Sequence, residues 1–534
     1  MFRIEPIKQL ARHPLFMLGV VIVGFLIAFL SVFAIPRIES FPVDPHTYLV
    51  DFGNQIFLPM DQYYLNNDPF GSFIFKTIPI PYWFGISIIF CALFFMIPRL
   101  SEKRFKSILV FSSIMLMIAF RMVFPILFTT VGVPIGGTDR VGGYAPDTSN
   151  YDIQTNPGSR IPIGYMVTVE NWVNYRFDFG VDGNYQHDFP LSFLVAFAFV
   201  KLGISTDLFF RVAPFFIYAF DAMFLYLIIK EIMPKNKKDS IIPALSVFLL
   251  SFSSLNYWIT LHYSPNLFGT LMFFLSFYLV IRFAKSRDWS LKNLIPILVS
   301  LFLLILSHHL STLYLIVTLF GFALSVWFFK PKLFKKGPLV FFLLAIYTYT
   351  LWFFYAEIVY PKFFQFYSLS TSGQSLVKSS LLAGLLPNLT FVIYPTLILV
   401  LFAIEFFRIL QIRNPLSLLK GLREKLREIR VLGSDNNFLV FSAGFIFILL
   451  LFIVGLGIPN LFGQRIFEVL CIGLYPIASL QFIKLIEGSS SRKKLLMLAI
   501  LLFVVLTGIY RYYNVIERIV ILSNQPPAGS PIIG

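Results

Sequence analysis

Residues 129–189 read TTVGVPIGGTDRVGGYAPDTSNYDIQTNPGSRIPIGYMVTVENWVNYRFDFGVDGNYQHDF, and they interrupt a run of long apolar segments. Seven acidic side chains (Asp139, Asp147, Asp152, Glu170, Asp178, Asp182, Asp188) face three arginines, among nine glycines, five tyrosines and Trp172. A connection this long without its own regular structure is usually functional or disordered. The aromatic content argues against disorder, because disordered segments lack such side chains. A chain that builds a folded acidic loop at one end of its apolar segments offers chemistry or recognition there.

Outward from that loop, the composition excludes a water-soluble globule. The chain is 57% hydrophobic and 18% aromatic, with 13% charged residues, about half the ~25% of soluble domains. The formal net charge of +16 would point to nucleic acid in a soluble protein, but its distribution excludes that reading. Thirty of the 43 Lys and Arg fall in seven clusters, at 3–12, 99–106, 230–238, 282–292, 330–336, 408–430 and 484–494. These sit at alternate ends of the apolar segments, the positive-inside pattern, so the charge reports topology. Cys91 and Cys471 each lie inside an apolar run, which suits neither a disulfide nor a metal site.

The spacing predicts an all-α, polytopic transmembrane bundle of about 13 spans, with two large outer loops and interfacial helices. Apolar runs of roughly 20 residues place crossings at 15–35, 83–98, 108–128, 208–229, 241–259, 265–283, 294–307, 310–329, 337–355, 389–407, 437–457, 466–486 and 495–510. The N-terminus is then cytoplasmic, the C-terminus outside, and the protein an integral, multi-pass plasma membrane protein. The first run follows Arg3, Lys8 and Arg12 and exceeds a signal-peptide core, so it reads as an uncleaved anchor. Residues 190–203 offer only about fourteen apolar positions, roughly 21 Å of helix against a ~30 Å core. They are expected to lie in the outer interface. The pair 294–307 and 310–329 turns at His308-His309 with almost no loop, so short, broken or tilted helices are expected there. Residues 414–430, opened by Asn414-Pro415, carry an apolar stripe (Leu419, Leu422, Leu426, Ile429) beside Lys420, Arg423, Arg427 and Arg430, an amphipathic helix for the inner leaflet. Three regions follow: a two-span extension with an outer loop (1–107), a core with the acidic loop (108–360) and C-terminal helices (361–534).

No Walker loop, GxGxxG, HExxH or GxSxG stands in a usable context. The candidates are instead ionisable groups in or beside the membrane, where their cost makes function the default hypothesis. Arg121, Arg211, His262, His309 and Arg465 fall near the outer interface in this topology. Several cations at one depth suit a lipid phosphate or pyrophosphate, although Arg465 and Glu468 are also spaced to pair with each other. Asp221 falls mid-span, where a structural pairing competes with a role in binding. Asp139 and Asp147, the first loop carboxylates beyond the third span, and then Asp152, are the candidate general bases. A carboxylate set of this kind also suits a divalent cation such as Mg or Mn. His187-Asp188 precedes the interfacial segment and is placed to overhang the same cleft.

These features resemble the GT-C superfamily of polytopic glycosyltransferases, particularly its archaeal members. The resemblance is carried by Gly137-Thr138-Asp139, Tyr185-Gln-His-Asp-Phe-Pro190 with the apolar segment after it, Gly203-Ile204-Ser205 and Arg211. Tyr263-Ser264-Pro265-Asn266, Ser307-His308-His309-Leu310-Ser311-Thr312 and Gln464-Arg465-Ile466-Phe467 extend it over roughly 108–480. It implies transfer of a sugar from a polyprenyl-phosphate donor to a glycan, lipid or protein acceptor at the outer face of the cell envelope. Asp139 or Asp147 would be the base, with Arg121, Arg211, His187, His309 and Arg465 on the substrate. The loop contains no DxD pair, which weakens a metal-dependent reading. The WWDYG sequence of oligosaccharyltransferases is absent, which argues against Asn-glycosylation of proteins. The alternatives are a ligase or polymerase of lipid-linked glycans and a transporter or flippase of a lipid-linked sugar. A transporter predicts repeated halves with helices broken at mid-membrane, and no internal repeat is evident.

Overall fold

The computed structural model describes residues 13–34, 78–96, 103–131, 169, 172–173, 190–233, 241–251, 263, 265–286, 288, 290–331, 334, 337–359, 400–404 and 473–483, together with a few single positions near the C-terminus, and the residue numbers 287, 289, 332–333 and 335–336 fall between them. Among these the chain is all-α, without a strand. In chain order the helices are α1 (Pro14–Val32), α2 (Ile80–Met96), α3 (Lys103–Val131), α4 (Leu191–Lys201) and α5 (Thr206–Ile232). They continue with α6 (Ile242–Ser251), α7 (Pro265–Lys285), α8 (Leu291–Ser307), α9 (His309–Phe329) and α10 (Gly337–Val359). A further helix covers Gly473–Ile483.

Among the described residues, five stretches are long and apolar enough to cross a membrane: α1, Leu208–Ile232 within α5, α7, α9, and Gly337–Ala356 within α10. The protein is therefore a multi-pass membrane protein. Most of the spans expected after residue 389, and the amphipathic helix 414–430, lie outside the described residues.

Burial is sorted as a membrane requires. Leu15, Leu30, Trp327 and Phe354 are exposed on the bundle's outside, whereas Ser112, Ser113, Ser246, Ser251, Thr318 and Thr348 are buried inside. Without water, every buried hydroxyl needs a local acceptor. Each of these reaches the carbonyl four residues back in its own helix, for example Ser113 to Leu109 at 2.8 Å and Thr348 to Leu344 at 2.7 Å. Some reach further: Ser251 Oγ also donates to the Ser113 carbonyl at 3.2 Å, and the Ser246 and Ser479 hydroxyls lie 3.2 Å apart. These bonds fasten α6 to α3 and to the 473–483 helix.

Contacts fix the helix directions. Asp221–Thr270, Phe224–Tyr278 and Glu231–Lys285 ascend together along α5 and α7, so these two run parallel. His308 against Gly269 and Phe322 against Phe277 make α9 parallel to α7. Phe322–Phe341 and Phe320–Phe342 make α10 antiparallel to α9. The N-terminal pair α1–α2 crosses through small residues: a Cβ at Gly85 would lie 2.5 Å from the Gly24 carbonyl oxygen and 2.6 Å from the Ala28 nitrogen. Close backbone approach at small residues drives helix pairing where lipid removes the hydrophobic incentive. Phe25 and Phe29 of α1 then pack on Ile118, Met122 and Phe215, joining the extension to α3 and α5.

Candidate functional site

The end of the bundle at which α3 finishes and α4 begins is also the end to which residues 132–189 connect. Helix α4, at 11 residues, spans about 16 Å and is too short to cross. It packs at this end of the bundle. Near its start, the Ser192 carbonyl accepts a hydrogen bond from the Tyr263 hydroxyl at 2.6 Å. Near its finish, Phe199 stacks on Phe209 with centroids 5.3 Å apart. Tyr263 itself meets Phe209 and Phe210 at 5.0 and 5.1 Å, so the start of α4 reaches the beginning of α5 through Tyr263 and its finish reaches it directly. A helix too short to cross is thus found within 190–203, where an interfacial segment is expected.

The chain leaves α4 through Gly203, whose φ of 98° is the left-handed conformation that favours glycine. Its N–H bonds the Val200 carbonyl and that of Ile204 the Phe199 carbonyl, at 3.0 and 3.2 Å; the second is the six-to-one closure of a Schellman cap. Ser205 then caps α5, accepting from the Leu208 N–H at 3.3 Å. One turn of the acidic loop rests on this platform. Trp172 is buried with its ring edge-on to Phe193 at 6.0 Å, and Lys201 Nζ donates to the Val173 carbonyl at 3.0 Å.

The turn between α8 and α9 is a single residue. His308 is at once the C-cap of α8 and the N-cap of α9, with extended backbone (φ −167°, ψ 126°). Its Nδ1 accepts the Ser311 N–H at 3.3 Å and lies 3.0 Å from the Ser311 hydroxyl. The His309 ring lies 4.9 Å from that of His308, and both residues are buried. Of the short, broken or tilted helices expected here, α8 is short at 17 residues, and α9 runs unbroken for 21.

Arg121 and Arg211 occupy neighbouring turns of α3 and α5. Met122 and Ile118 share one apolar cluster with Phe215, and Val212 packs on it. The backbone therefore brings these two candidate cation positions to one level on the acidic-loop side. Asp221 lies deeper on α5. It is 1% exposed and receives the Thr270 hydroxyl at 3.4 Å. Thr270 adjoins Gly269, the contact point of α7 with the His308 turn, so Asp221 and the histidine pair flank the same turn of α7.

Among the sequence candidates, His309 is thus brought to the turn beside α7, and Arg121 and Arg211 to adjacent helix turns. Asp139, Asp147, Asp152, His187, His262 and Arg465 lie outside the described residues. Among the described residues no group of three or more His, Cys, Asp or Glu stands ready for a metal ion, and the carboxylates expected to suit one are in the loop. Sequence reasoning did not find the capping role of His308 or the bond from Tyr263 to α4. His308 followed three residues later by a serine N–H offers a local signal for the first. The second joins residues 71 apart and has no local signal.

No family model and no curated relative matches the chain. Among solved structures it is similar to the Archaeoglobus fulgidus oligosaccharyltransferase tethered with an acceptor peptide containing the NVT sequon, at 11% identity and a TM-score of 0.42. The match covers 78% of this chain and 55% of that one, so the chain spans about half of that enzyme's length. Likeness at this level leaves function to be argued from the residues of the chain itself.

Proposed function

We propose that the protein is a membrane glycosyltransferase of the GT-C kind, moving a sugar from a polyprenyl-phosphate donor to a glycan, lipid or protein acceptor at the outer face. One observation carries the reading. The loop that bears Asp139, Asp147 and Asp152 joins the bundle, through α3 and α4, at the end where Arg121 and Arg211 share a level and His308-His309 form a buried turn.

The chemistry needs both signs of charge at one place. A loop carboxylate takes the proton of the acceptor hydroxyl as its oxygen bonds to the sugar's anomeric carbon. The bond from that carbon to the phosphate oxygen breaks, and the phosphate leaves with the electron pair. Arg121, Arg211 and Arg465 stabilise the departing charge, and a water-poor end of the bundle strengthens that attraction. His187 and His309 would line the same space. Burying such cations is costly unless an anion accompanies them, and a lipid phosphate is such an anion.

Donor binding provides the test. Purified protein in nanodiscs should bind polyprenyl-phosphate hexose, and Arg211→Ala and Arg465→Ala should each weaken binding by about tenfold or more, the loss of one charge-assisted contact. Equal affinity in wild type and both variants would remove the proposed phosphate site.

A further inference from the structure

Tyr263, just before α7, is among the largest fully buried side chains. Its ring is boxed by Phe209, Phe210 and Phe268 at 5.0, 5.1 and 6.5 Å. Its hydroxyl leaves this apolar box to reach the Ser192 carbonyl at 2.6 Å. Burial pushes the phenol well above its ordinary range, so the group is a donor at every working pH. A hydrogen bond shielded in this way has no water competing for either partner.

The bond has a definite lever arm. Ser192 lies in the first turn of α4, and the next residue, Phe193, holds the buried Trp172 ring. At the other end of α4, Lys201 holds the Val173 carbonyl, and the Gly203 cap fixes the entry into α5. The turn at Trp172-Val173 thus touches α4 at both ends, and Tyr263 ties the start of α4 to the foot of α7. Ser192 needs no rescue from this bond, since a helix carbonyl already receives the N–H four residues on. A hydrogen bond to an already satisfied carbonyl contributes more to placement than to survival of the fold.

We propose that Tyr263 is a positioning residue: through Ser192 and α4 it sets where the Trp172-Val173 turn of the acidic loop stands on the bundle. Its effect on catalysis rests on the glycosyltransferase reading above, whereas its effect on the loop does not. The conservative variant Tyr263→Phe keeps the aromatic box and removes only the donor. Misplacement of a reacting group by about 1 Å costs on the order of a hundredfold in rate, so a partial loosening is expected to cost about tenfold in kcat.

Two readouts on the full-length protein in nanodiscs separate the claims. Hydrogen exchange of peptides covering 169–201 should speed up by about fivefold or more in Tyr263→Phe while α9 is unaffected, because local opening tracks the lost tether. With polyprenyl-phosphate hexose as donor, kcat should fall about tenfold with donor KM within about twofold. Unchanged exchange over 169–201 would overturn the positioning role whatever the activity. Faster exchange with unchanged kcat would confine Tyr263 to structure and also overturn it. Faster exchange in a protein whose wild type transfers no sugar would uphold the tether and sink the transferase reading instead.

Discussion

Gly269 and His308 meet so closely that a Cβ added at the glycine would stand 2.5 Å from the His308 Cβ and 2.7 Å from the Ser311 hydroxyl oxygen. The one-residue turn between α8 and α9 is thereby pressed onto the backbone of α7. Gly269→Ala must displace a backbone-anchored atom, since the His308 Cβ, unlike the Ser311 hydroxyl, cannot rotate away. Overpacking of this kind costs about 1–3 kcal/mol. Thermal unfolding in detergent should show the variant clearly less stable, and an unchanged midpoint would refute the contact.

His308 contributes a cap as well as packing. His308→Asn keeps a short acceptor for the first turn of α9, whereas His308→Ala removes it. The alanine variant should lose about 1 kcal/mol more than the asparagine one, the usual worth of an N-cap. Equal losses would mean that packing alone sets the turn.

The extension formed by α1 and α2 gives an internal control. A Cβ added at Gly85 would stand within 2.6 Å of the Gly24 carbonyl oxygen and the Ala28 nitrogen, whereas one at Gly19 meets nothing within 4 Å. Gly19→Ala should therefore be neutral or slightly stabilising, because alanine favours a helix by about 1 kcal/mol over glycine. Gly85→Ala should separate the pair. Crosslinking between cysteines placed on α1 and α2 reports this directly, and equal yields in both variants would contradict the crossing.

Much of this arrangement is legible in the sequence, for a physical reason. Length and charge asymmetry place α1, α5, α7, α9 and α10, since a span must be apolar for its full length and basic residues mark its ends. Residues 190–203 are too short to cross, and α4 is indeed only 11 residues long. What the sequence hides is which helix meets which. Lipid-facing and interior faces are both apolar here, so periodicity does not separate Trp327, exposed on α9, from Phe322, buried on the same helix. The parallel pairing of α5 with α7, the Gly269 contact and the Tyr263 bond all depend on residues distant in the chain.

Topology is expected from the same charges. Single cysteines at Ser149 and Ser417 should label from opposite sides of intact cells, with Ser149 outside, because the positive-inside pattern assigns the clusters that hold thirty basic residues to the inner face. Labelling of both from one side would invert or break the assignment.

The central claim is sugar transfer by a loop carboxylate, and one measurement addresses it most directly. Wild type, Asp139→Asn and Asp147→Asn are reconstituted in proteoliposomes with radiolabelled polyprenyl-phosphate hexose and an acceptor mixture from the cell envelope. The account predicts that one of the two variants loses transfer by roughly 10²–10⁴-fold, the worth of a general base, while still binding donor. Full transfer in both variants, or movement of intact donor across the bilayer without transfer, would contradict it.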